Sequence, residues 1–204
     1  MKMVGKLNEY QKCVIQELGF GGILDLKYSR LDRELCRFLV DRFDPNQCAL
    51  HIGSRKLLIS PRDIENMMGL KSNGIDIRIS GNLKETKSIC QLYGLKEVGN
   101  ITIAEVEEQL MELKTSGNTC IFYFLLFVLS TFFCPTPKLT VKRSLILILH
   151  KIENVKNLNW LNFVLKFLVE GVQKFKEDKS VGVNGCVMLL MVMSSNLLHS
   201  IIWF

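Results

Sequence analysis

His150, Asp178 and Cys186 follow one another in the chain order used by some cysteine peptidases. That chemistry needs a thiolate, a histidine within hydrogen-bond reach, and a third group that orients the base. The neighbouring residues argue for other roles. Cys186 is followed by "VMLLMV", a buried helical pattern, and His150 ends the apolar run "SLILILH". A thiol and an imidazole in such settings read as a core cysteine and a helix-end histidine. The seven cysteines are odd in number and contain no CxxC pair, and His51, His150 and His199 stand alone, so zinc-ligand spacing is absent. The sequence therefore predicts no catalytic, cofactor-binding or metal-ligating residue. Reduced, mostly buried thiols are expected, as in a cytosolic or nuclear protein.

Phosphate contact is the other chemistry to weigh. "KLTVKR" contributes Lys138, Lys142 and Arg143, and Lys151 and Lys156 follow. These five form the candidate basic patch. The net charge is +6, and residues 135–204 carry nine Lys/Arg against four Asp/Glu, so the excess is concentrated there. Such a patch predicts weak, sequence-independent nucleic-acid binding, with a solvated face as the alternative. The aromatic residues between Phe122 and Phe133 sit in a charge-free run, which reads as core rather than a base-stacking platform. "GFGG" at 19–22 lacks the GxGxxG pattern and a preceding strand, so it reads as a turn between helices.

The elements that would position these residues are mostly helices. Residues 8–18 read as a short helix capped by Asn8. A second helix, with Ser29 as its cap, presents Leu31, Leu35, Phe38 and Leu39 on one face. "ALHIGSRKLLI" reads as a β-hairpin closed by "GSRK", with Leu50, Ile52, Leu57 and Ile59 alternating. Ser60, Pro61 and Asp63 then open a helix with an Ile64, Met67, Met68 stripe that stops at Gly69. "KSNGIDIRISGN" is a polar connection. Thr102 and Glu105 form a capping box for a further helix, and Asn159 caps the long one that follows. The expected fold is mainly α: a compact helical domain over residues 8–192 with one small hairpin at about residues 49–59, and an apolar tail over 193–204.

Residues 115–137 and 180–204 contain no charged side chain, and each run is long enough to span a bilayer. A two-span membrane protein is therefore one reading. The other is a buried central helix and an apolar C-terminal helix, because "PTP" cuts the first run and "VNG" and "SSN" interrupt the second.

The ordered combination "GFGGILDLKYSRLDRELCRFLVDRFDP…ALHIGSRKLLISPRDIENMMGL" resembles the plant mobile domain. The later "FLLFVLSTFFCPTPKLTV" and "IENVKNLNWLNFVLKFLVEGVQKFKE…GVNGCVMLL" are similar to that family's second half, and the likeness covers roughly residues 8–192. It is greatest to the variants that precede a ubiquitin-like-protease domain in transposon-derived plant proteins. The resemblance implies a non-catalytic interaction module of transposon origin, nuclear and linked to genome maintenance or silencing, with the cytoplasm as the alternative location. It implies a protein partner or a fused domain, and neither a cofactor nor a small-molecule substrate. An alternative it also carries is the helical N-terminal region of a SUMO-type cysteine protease without its catalytic domain. The chain departs from the family after "CVMLLM", which makes residues 193–204 read as a divergent, truncated tail.

Overall fold

The computed structural model describes residues 5, 7–24, 32–70, 72–79, 81–113, 117–191 and 193–194. Within them the chain is mainly α. In order, it runs through α1 (Glu9–Glu17), α2 (Arg33–Arg42), β1 (Phe43–Asp44), β2 (Ala49–Ile52), β3 (Arg55–Leu58), α3 (Pro61–Met68), α4 (Leu83–Leu92), α5 (Ile103–Glu112), α6 (Asn118–Val128), α7 (Arg143–Leu149) and α8 (Trp160–Glu177).

Local chemistry sets most helix starts. The Asn8 side chain accepts from Gln11 N at 2.8 Å while Gln11 Oε1 accepts from Asn8 N at 2.9 Å, a reciprocal box. Thr102 and Glu105 form the same arrangement on α5. Asn159 Oδ1 caps α8 through Asn162 N. In α2 the cap is Asp32, whose carboxylate accepts from the amides of Glu34 and Leu35. The expected Ser29 cap and Leu31 lie outside the described residues.

The inward face of α2 also differs from the expected one. Leu39 and Val40 are buried, whereas Leu35 and Phe38 remain 38% and 42% exposed. The helix packs toward β2 through its Leu39–Val40 side. Phe38 is instead covered on one face by the Arg42 guanidinium, 4.7 Å from the ring centroid.

The hairpin is present, with Ala49 opposite Leu58 and Ile52 opposite Arg55. Its turn is the two residues Gly53-Ser54, tighter than the four-residue loop expected. Gly53 adopts φ 59°, which lets the chain reverse there and frees Arg55 and Lys56 to join the ladder. A third strand was not anticipated: Phe43 and Asp44 pair with Leu50 and Ala49, giving the order β1-β2-β3. The Asp44 carboxylate accepts from Asn46 N and Gln47 N, which closes the Asp-Pro-Asn turn. α3 starts at Pro61 as expected, with Ile64 N donating to Ser60 O, and Ile64 is fully buried. The side chains of Asp63, Met67 and Met68 lie outside what is described.

The apolar run after Gly117 forms an 11-residue helix that is buried almost throughout, and it widens into a π-helical turn at Leu129–Phe133. α1, α5 and α7 pack around it. The first charge-free run is thus a core helix by its burial, and among the described residues no helix is long and apolar enough to cross a membrane. Gln11 Nε2 donates to Cys120 Sγ at 3.2 Å, tying α1 to α6, and Tyr123 Oη donates to Tyr93 O at 2.6 Å, tying α6 to the end of α4.

Phe20 of the Gly-Phe-Gly-Gly turn is wholly buried, edge-on to Trp160 at 5.4 Å and 6.1 Å from the Phe133 ring. The turn is thus a core anchor. The connection after α3 is strapped to the start of α8: Asn159 Nδ2 donates to Ser72 O, Asn162 Nδ2 donates to Asp76 Oδ1, and Ile75 pairs with Leu158.

Candidate functional site

The groove beside α2 is assembled from three distant stretches of chain. α2 supplies Arg33, Cys36, Arg37 and Val40, which recur at one helical face. The π-turn and the residues after it supply Thr131, Phe132 and Pro135. The third wall combines Phe175 and Lys179, at the end of α8, with Val183 and residues 185–188. Together they enclose a cavity of about 780 Å³.

Backbone contacts fix the third wall. A Cβ on Gly171 would lie 2.0 Å from Asn184 O, and one on Gly185 would lie 2.6 Å from Leu168 Cα. These two glycines let the 183–187 segment cross directly over α8, where any side chain would hold it off. Gly185 N also donates to Pro135 O at 3.1 Å, which links this wall to the segment that follows the π-turn. Lys176 Nζ donates to Asp41 O at 3.1 Å and holds the end of α8 against α2.

The polar groups of the groove are of three kinds. Arg33, Arg37 and Lys179 are solvent-exposed cations at its edge. The Thr131 hydroxyl is buried without a hydrogen-bond partner among the described residues, as is that of its neighbour Ser130. Cys36 and Cys186 are thiols. Burial pushes the Cys186 thiol up to about 12, and burial with the nearby Asp32 carboxylate raises Cys36. Both are therefore protonated at neutral pH and poor nucleophiles.

Of the three residues with peptidase order, His150 lines a different cleft from the groove that Cys186 lines. His150 sits at the C-terminus of α7 with Nδ1 2.6 Å from Leu147 O and borders a separate cleft with Asp76, Arg78 and Glu85. Asp178 follows α8 and accepts from Ser180 N, and Cys186 lies in the groove wall. Among the described residues no group of three or more His, Cys, Asp or Glu is placed to hold a metal ion.

The five basic candidates have unequal freedom. Lys138, Lys151 and Lys156 are exposed. The Lys142 ammonium stands over the Phe167 ring at 3.9 Å, and desolvation, with Lys174 nearby, holds its pKa below the usual lysine value. Arg143 is committed to the fold: Nη2 donates to Lys96 O at 3.1 Å and Gly99 O at 2.8 Å, and Nη1 donates to Cys90 Sγ at 3.3 Å. Sequence reasoning missed the groove itself. The spacing of Arg33, Cys36, Arg37 and Val40 was its one local signal.

A family model, described as a domain of unknown function, matches residues 1–191. No curated protein and no solved structure matches the chain.

Proposed function

The chain belongs to the DUF8566 family, and we propose that it is a non-catalytic interaction module that holds a partner protein in the groove beside α2. The groove is the observation that carries this reading. It is an apolar cleft of about 780 Å³ with a few convergent polar groups, the form a binding site takes. The protonated state of Cys36 and Cys186 argues against using it for thiolate chemistry. The resemblance to the plant mobile domain adds the setting: a transposon-derived module working in the nucleus, in genome maintenance or silencing, on a separate partner or a fused domain. Lys138, Lys151 and Lys156 supply at most weak, sequence-independent phosphate contacts.

A photo-crosslinking amino acid placed at exposed Arg37 tests the reading, with the same probe at exposed Leu92 as control. A defined nuclear protein captured from position 37, absent from position 92 and lost when Val183→Trp fills the groove, is the expected result. Capture that ignores probe position would contradict it.

A further inference from the structure

Charge is distributed one-sidedly in the groove. Arg33, Arg37 and Lys179 line it, and none of its described lining residues is a carboxylate. Asp32, the carboxylate next to Cys36, is turned to the first amides of α2. Below the cations the walls are apolar: Val40, Phe132, Phe175 and Met188. The Thr131 hydroxyl adds a polar atom with no partner among the described residues, where buried polar atoms are almost always paired. The π-turn that carries Thr131 is itself a departure from α geometry of a kind frequent at functional sites.

We infer that the groove is a docking site for an acidic peptide segment of a partner protein that inserts a large apolar side chain. This rests on the interaction-module reading. The apolar side chain packs between Phe132, Phe175 and Met188, where burial supplies the binding energy. Flanking carboxylates meet the guanidinium forks of Arg33 and Arg37 and the Lys179 ammonium, which select for acidic sequence and speed encounter. Because the cations are exposed, their contribution is screened by salt.

Fluorescence anisotropy with the full chain tests this, using a labelled short peptide of Asp and Glu flanking Leu and Phe, and a second with Lys in place of every acid. Unlabelled decanoate, an apolar anion that is not a peptide, serves as competitor. The acidic peptide binds saturably, and the basic one binds at least about tenfold more weakly, the discrimination expected from charge complementarity. Arg33→Glu with Arg37→Glu weakens the acidic peptide about tenfold or more, while Lys84→Glu with Lys166→Glu, an equal charge change at exposed lysines elsewhere, leaves it within about twofold. Circular dichroism of both pairs establishes that they fold, and Arg33→Gln with Arg37→Gln repeats the test without reversed charge. Equal binding of both peptides, lost in Val183→Trp, overturns the acidic preference and leaves the interaction module standing. Binding of decanoate with no binding of either peptide overturns both, as does binding of the acidic peptide that the groove variants leave unchanged.

Discussion

Gly69, which ends α3, stands back to back with Gly22 of the Gly-Phe-Gly-Gly turn: a Cβ on Gly69 would lie 2.9 Å from both Cα and N of Gly22. Gly69 also adopts φ 65°, a left-handed conformation that side chains rarely tolerate. The two sequence signatures, 47 positions apart at Gly22 and Gly69, are therefore one piece of structure in which backbone touches backbone. Gly69→Ala should cost about 2–4 kcal/mol, combining the left-handed penalty with overpacking. Gly53→Ala is the control, with φ 59° but open space around it, and should cost about 1–2 kcal/mol. Urea denaturation checks both, and equal losses would remove the close approach from the account.

Arg143 is predicted to be a structural residue. Arg143→Gln gives up charge-assisted bonds to two carbonyls and should cost about 1–3 kcal/mol in thermal or urea unfolding. Lys138→Gln, at an exposed turn, should change stability by less than about 0.5 kcal/mol. A test of nucleic-acid contact is therefore cleaner with Lys138, Lys151 and Lys156, since a loss of binding on reversing Arg143 would follow from a disturbed fold.

The α5 cap gives a pH dependence. Hydrogen bonds from Lys96 and from the Thr102 amide hold the Glu105 carboxyl down at about 2, from an ordinary value of 4.5. A carboxylate depressed in the folded state stabilises above its unfolded pKa, and that contribution is lost as pH falls from about 4.5 toward 2. Glu105→Gln should therefore be less stable than the parent at pH 7 and indistinguishable from it near pH 2 in urea titrations. Thr102→Ala should cost about 1 kcal/mol through the lost cap.

Thiol reactivity should follow burial. Cys13 is exposed, whereas Cys134 and Cys186 are buried with their pKa values raised. A neutral disulfide reagent should modify Cys13 rapidly in the native chain and reach Cys134 and Cys186 only on unfolding. Rapid, selective labelling of native Cys186 would instead point to a nucleophile.

Elements governed by short-range chemistry were legible in the sequence. The Asn8, Thr102 and Asn159 caps, the hairpin and the start of α3 at Pro61 all follow from neighbouring residues. α4 carried an equally plain sign, an Asn82 cap accepting from Glu85 N, and went unread because its apolar residues are sparse. The orientation of α2 was not legible, because Leu35 and Leu39 are equivalent in pattern and only tertiary contact decides which is covered. The groove was hidden for a related reason. Residues 33–40, 131–135 and 175–188 meet only after folding, and the glycines that permit their contact, Gly171 and Gly185, look like ordinary helix and loop residues in the sequence.

The central claim is that the groove beside α2 receives an acidic, apolar-anchored segment. A methyl-resolved NMR titration of the full chain with the acidic Leu/Phe peptide tests it most directly. Saturable shifts at the Val183, Val187 and Met188 methyls, with the buried Val106 and Ile89, which do not line the groove, unmoved, are the predicted result. Shifts that avoid the groove methyls, or a spectrum unchanged at saturating peptide, would contradict it.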